Sequence, residues 1–145
     1  MAEPLRSGTD LLAALDYIGI SATELQSMCH ISQTAFSSYV YHAPTRNPAR
    51  GVPAQLWRMA DKLTAWHDAE VDRVLKVALD DYQAFNGKPP ELVRLVWMSQ
   101  KEEHPDGYCA SLHNAVMRDA AFEIEQEGIP VRFVRISQMK EGDIR

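Results

Sequence analysis

Between Ser32 and Tyr41 lie six residues, Ser32, Gln33, Thr34, Ser37, Ser38 and Tyr41, that are polar or amphipathic and include no acid. On a helix they occupy the side left over once Phe36 and Tyr39 turn inward, and that side suits the major groove of duplex DNA. Short hydroxyls permit close approach, while a carboxamide can donate to N7 and accept from N6 of adenine. Gln33 is therefore the leading base reader, Thr34 offers a methyl group to thymine, and Ser37 or Ser38 reaches a base edge or a phosphate. Amides at the helix start near Ser32 attract phosphate. Arg46, Arg50, Arg58 and Lys62 follow and are expected to hold the DNA backbone. Two assignments have equal competitors: Tyr41 at a helix end suits the core as well as a contact, and Arg46 and Arg50 suit a solvated loop.

A reading helix needs a second short helix, joined by a turn of about three to four residues. Ser21-Ala22-Thr23-Glu24 is a capping box that starts one, which ends near Cys29. Ser32 offers the next N-cap, and Gln33 to Tyr41 follows as a helix that Pro44 and Pro48 prevent from continuing. Leu25, Cys29, Ile31, Phe36 and Tyr39 are the apolar residues that two crossed helices would bury. An earlier helix is expected over Asp10 to Ile18, with Thr9 as its cap, Gly19 as its stop, and Leu11, Leu12, Leu15 and Ile18 on one face. The spacing thus predicts a helix-turn-helix over Ser21 to Tyr41. Its competitor, a solvated helix between two others, leaves the agreement of caps, turn and uncharged face unexplained.

His42 to Val52 is loop by composition, and Pro53 stands in the first turn of a long helical pattern running through Leu56, Met59, Ala60, Leu63, Trp66, Val71, Val74, Leu75, Ala78, Tyr82 and Phe85. One helix or two with a joint near His67 both fit. Asn86-Gly87-Lys88-Pro89-Pro90 ends the pattern. Strand-forming runs, Leu92 to Met98 and Val131 to Ile136, then flank a helix over Tyr108 to Glu127 that presents Leu112, Ala115, Val116 and Ala120 and stops at Gly128. The order fits a βαβ unit or strands that pair across a dimer. Two strands alone make a poor sheet, and a second subunit would supply partners. The expected fold is mainly α with a small α+β C-terminal part. A helix-turn-helix bundle (1–66) leads through a helical connector (67–88) to a strand-helix-strand dimerisation unit (89–145).

Composition narrows the function classes. Of 145 residues, 46% are hydrophobic and 24% charged, which suits one compact domain or two very small ones. No apolar run approaches the roughly 20 residues of a membrane span, and Met1 to Asp10 does not read as a signal peptide, so a cytoplasmic protein is expected. The net charge of −5 argues against a general nucleic-acid coat, but residues 30 to 66 carry Arg46, Arg50, Arg58 and Lys62 against Asp61 alone. Cys29 and Cys109 have no CxxC spacing and read as small buried residues. His104, Cys109 and His113 lack a fourth ligand at natural spacing, and His113 reads as a helix-surface residue or one that caps a partner. Glu123, Glu125 and Glu127 with Asp119 nearby read as solvated charge. No GxSxG, glycine-rich phosphate loop or HExxH occurs, so no enzyme, cofactor or metal is expected.

The segment Ser21 to His42 resembles the helix-turn-helix of Cro-like and repressor-like phage proteins, with Gln26 where that family usually has alanine and His30 where it usually has glycine. More broadly, the chain is similar to the autoregulators encoded beside anti-CRISPR genes and their bacterial relatives. That resemblance rests on Gly51-Val52-Pro53-Ala54-Gln55-Leu56-Trp57, on His104-Pro105-Asp106-Gly107 and on Leu112-His113-Asn114-Ala115-Val116, and it does not reach the tail from Pro130 onward. It implies a C-terminal dimerisation domain, autoregulation of an operon and binding of structured RNA as well. The expectation is a homodimeric transcriptional repressor on a near-palindromic double-stranded DNA operator. The alternatives are an antitoxin-like or adaptor module that docks a partner protein through the acidic helix Tyr108 to Glu127, and a structured-RNA binder.

Overall fold

The computed structural model describes residues 7–42, 52–84 and 91–145. It is mostly helical with a small two-stranded parallel sheet, and it divides into two compact units, Met1–Ala65 and Trp66–Arg145.

The first unit opens with α1 (Gly8–Ile18), α2 (Ala22–Cys29) and α3 (Gln33–Ser37), and α3 runs on into a π-helical turn over Ser38–His42. Each helix starts on a serine. Ser7, not the expected Thr9, caps α1: its hydroxyl accepts the Asp10 amide at 3.1 Å, and Asp10 accepts the Ser7 amide at 2.7 Å. Only a cap at Ser7 puts an acid three residues on, and that reciprocal bond decides between the two hydroxyls. Ser21 and Glu24 form the same box at the start of α2. Gly19 ends α1 at φ 82°, and His30 ends α2 at φ 54°, both left-handed. Such a conformation is cheap for glycine and tolerated by histidine.

Leu11, Leu15, Ile18, Leu25, Cys29 and Phe36 are buried here, while Leu12, Ile31 and Tyr39 are half-buried. Val40 takes the inward place expected of Tyr39. The α-helical period stops at Ser37, and the wider π turn swings Val40 against Gly8. A side-chain carbon at Gly8 would overlap the Val40 carbonyl, so the start of α1 and the middle of the π turn meet backbone to backbone. Burial also pushes the Cys29 thiol above its usual range, which keeps it protonated.

A single helix, α4 (Ala54–Ala84), covers the long periodic stretch with no joint at His67, and the boundary between the units falls within it. Pro53 sits just before the helix, where its carbonyl accepts the amides of Leu56 and Trp57. Residues 67–84, expected as a connector, give Val71, Val74 and Ala78 to the core of the second unit. The rest of that unit is β1 (Val93–Trp97), α5 (Ala110–Gln126), β2 (Val131–Arg135) and a 3-10 turn (Ile136–Gln138).

β1 and β2 pair in parallel with each other, from Val93 against Val131 to Trp97 against Arg135. Of the two arrangements the sequence left open, the chain adopts the βαβ one. The open strands that motivated a dimer are therefore partners within one chain. Beyond β1 the tail adds a further bridge: Ile144 donates to the Arg94 carbonyl at 2.9 Å and accepts the Val96 amide at 2.8 Å. Asp143, beside it, pairs with Arg94 at 2.9 Å.

Among the described residues no helix is long and apolar enough to cross a membrane. The close approach at Gly8 gives the first test. Gly8→Ala is expected to destabilise the N-terminal unit by about 1–3 kcal/mol through overpacking, read by chemical denaturation. An unchanged midpoint would contradict the contact.

Candidate nucleic-acid interface

Ser32 is the N-cap of α3, and its hydroxyl accepts the Ala35 amide at 3.1 Å. It is thereby committed to the helix start. Gln33, Thr34 and Ser38 are exposed along the same segment, whereas Ser37 is half-buried. Tyr41 is 52% exposed, with its ring edge-on to Phe36 at 6.3 Å between centroids. One edge of that ring thus meets the core while much of the rest faces solvent.

The turn that presents α3 is His30, Ile31 and Ser32. Its shape comes from Ile31 donating to the Gln26 carbonyl at 3.0 Å and His30 to the Ser27 carbonyl at 3.3 Å, which closes the end of α2. Gln55 secures it from the other side, donating to the Cys29 carbonyl at 3.2 Å. Arg58 is exposed three residues beyond Gln55, so the two share a face of α4. Lys62 is exposed one turn further on, with Asp61 exposed beside it. Arg46 and Arg50 lie outside the described residues.

The arrangement gathers Gln33, Thr34, Ser38 and Tyr41 on one uncharged segment and leaves the cations on another helix. No family model matches the chain, and no curated protein matches its sequence. What the segment does therefore rests on its own chemistry.

A second group of polar residues is buried where the sequence pattern did not place it. His67, His104 and His113 are all buried in the C-terminal unit. His113, expected on a helix surface, packs inside because it continues the apolar stripe of Leu112 and Val116. His67 likewise stands four residues after Leu63 and four before Val71, and that spacing was the available signal. The rings of His104 and His113 lie 5.2 Å apart.

Among the described residues, ligand atoms lie together at Glu70, His104 and Asp106, within 4.8 Å of one another. Those atoms already serve one another. His104 Nε2 bonds Glu70 Oε2 at 2.9 Å, its Nδ1 accepts the Asp106 amide at 2.9 Å, and Trp66 donates to Asp106 at 2.9 Å. Arg73 also holds both Glu70 oxygens, so a metal ion would meet an adjacent guanidinium. The arrangement fits a structural network: the turn His104 to Gly107, closed by a 2.7 Å bond and by Gly107 at φ 86°, is fastened to α4.

Cap and reading face separate by experiment. Ser32→Ala is expected to cost about 1 kcal/mol of stability by thermal denaturation, whereas Gln33→Ala stays within about 0.5 kcal/mol of the parent. An equal loss in both would mean that Gln33 packs.

Proposed function

We propose that the N-terminal unit binds duplex DNA as a helix-turn-helix, with α3 in the major groove, and that the protein is a transcriptional repressor acting on its own operator. The observation that carries this is the exposed, uncharged run Gln33, Thr34 and Ser38 directly behind the left-handed His30 turn. Gln33 pairs with adenine, Thr34 meets a thymine methyl group, and Ser38 and Tyr41 reach the base edge or sugar-phosphate at the far end of the helix. With no cation on α3, attraction to phosphate falls to Arg58 and Lys62. Arg46 and Arg50 complete this basic set in the proposal.

Homodimerisation belongs to the same proposal, now on a different ground from open strands. Trp97 and Phe133 are exposed, 38% and 47%, and their rings meet edge-on at 5.0 Å on one face of the sheet. An apolar aromatic pair of this kind suits a subunit contact. Two copies would place their α3 helices on half-sites about 34 Å apart, one turn of duplex. Repression is then steric.

One observation favours the partner-protein alternative. Among the described residues Phe122 is the most exposed of the large hydrophobics, on the α5 surface that also carries Glu123 and Glu125, with Glu127 at the helix end. Co-purification with an adjacent gene product that Phe122→Ala abolishes would support a docking role.

Gel shifts against the protein's own upstream DNA, with its own transcript as competitor, test the main reading. Gln33→Ala is expected to cost about 1–3 kcal/mol and relax preference at one base pair, whereas Arg58→Ala weakens all sequences alike and lowers the salt slope by about one. Absence of salt-sensitive duplex binding would refute it, and preferential displacement by RNA would move the role to the RNA-binding alternative. For the dimer, light scattering at micromolar concentration is expected to give twice the chain mass, falling to one chain with Phe133→Glu. A monomeric parent would overturn that part.

A further inference from the structure

The three buried histidines differ in how their ring nitrogens are served. His67 faces Asp68 at 3.0 Å and Asp119 at 2.8 Å, and His104 lies between the Glu70 carboxylate and the Asp106 amide. His113 bonds no carboxylate. Its Nε2–H donates to the Val96 carbonyl at 2.7 Å, and its Nδ1 is buried without a hydrogen-bond partner. Only the neutral ring with its proton on Nε2 suits this place. A second proton, on Nδ1, would be a donor with no acceptor and would carry a full charge into a buried place.

The charged groups around the ring do little to help. From the loop comes His104, from α4 Glu70, and from the tail Arg145, while β1 presents the Val96 carbonyl. His104 and Arg145 oppose a cation, and Glu70 favours one but is already held by Arg73 and His104. On its own helix the next residue, Asn114, is committed to Met98, accepting its amide and donating to its carbonyl, both at 2.8 Å. Consecutive residues of α5 thus clip the end of β1 at Val96 and Met98.

We propose that His113 is an acid-sensitive latch of the C-terminal unit, closed while its ring is neutral and released when falling pH drives a second proton onto the buried Nδ1. Burial, ahead of the repulsion from His104 and Arg145, holds the folded His113 below the ordinary value of 6.5, against the smaller upward pull of Val96 and Glu70. The unfolded chain takes up its proton near that ordinary value. Stability from this group is therefore complete above about pH 6.5 and declines below it, by up to about tenfold in the folding constant per pH unit, until the folded ring itself protonates. What loosens is the clip between α5 and β1, so acidity acts on the strand that carries Trp97.

The test compares chemical denaturation of the full chain and of His113→Gln between about pH 7.5 and about pH 5.5. Glutamine can still donate to Val96 and does not titrate. The parent is expected to lose up to about tenfold more of its folding constant than the variant over the lowest unit. Identical pH profiles would overturn the latch. Should the variant not fold, nitrogen NMR of the parent decides: His113 is expected to be mostly the neutral Nε2–H tautomer at about pH 6.5. A folded His113 already half protonated at about pH 6.5 would overturn the proposal equally.

Discussion

Two strands cannot satisfy a sheet's backbone groups by themselves, and most of the C-terminal unit can be understood as the answer to that shortage. β1 pairs with β2 along one edge and with Ile144 along the other. At its end, Asn114 serves both polar groups of Met98, and His113 takes the Val96 carbonyl. An interior amide left open costs about 1–3 kcal/mol, comparable with a sizeable share of a small unit's stability. The helix between the strands therefore does more than cover them. Its polar residues are part of the sheet's bonding, which accounts for histidine and asparagine on a face otherwise made of Leu112, Val116 and Ala120.

In the N-terminal unit the corresponding shortage is at helix ends. Short helices have a large fraction of unpaired terminal groups, and the unit meets it with Ser7, Ser21 and Ser32 at the starts and Gly19 and His30 at the stops. Because every cap is local, the direction in which α3 leaves the turn follows from a few residues around His30. α3 itself carries no charged residue. Its outer side is left with hydroxyls and one carboxamide, groups that discriminate by hydrogen bonding and attract little at a distance.

Much of this was legible in the sequence where the determinants are close together. The box at Ser21, the cap at Ser32, the stop at Gly19 and both strands each depend on residues within a few positions. Thr9 and Ser7 both carry hydroxyls, and the reciprocal bond from Asp10 separates them. Val40 is buried and Tyr39 only half-buried, which apolar spacing does not show because a π turn leaves no mark in it. The buried histidines were missed for another reason. A histidine's burial depends on what faces it, and the Val96 carbonyl and the Glu70 carboxylate reach His113 and His104 from distant stretches of chain. Of the candidate reading face, Gln33, Thr34, Ser38 and Tyr41 are exposed as the pattern implied, while Ser37 is partly withdrawn and Ser32 is occupied by its own helix.

The bridge between Leu95 and Ile144 also bears on the order in which the chain can take shape. The contacts that end α2 and present α3 are complete once residues 7 to 63 exist, so that region can organise while the remainder is still being synthesised. β1 has no such independence. Its neighbours on both edges are translated well after it, and until they arrive its apolar side chains have only α4 and then α5 to lie against. The early part of the molecule is thus poised to be ordered, and available to whatever it meets, before the later part has closed.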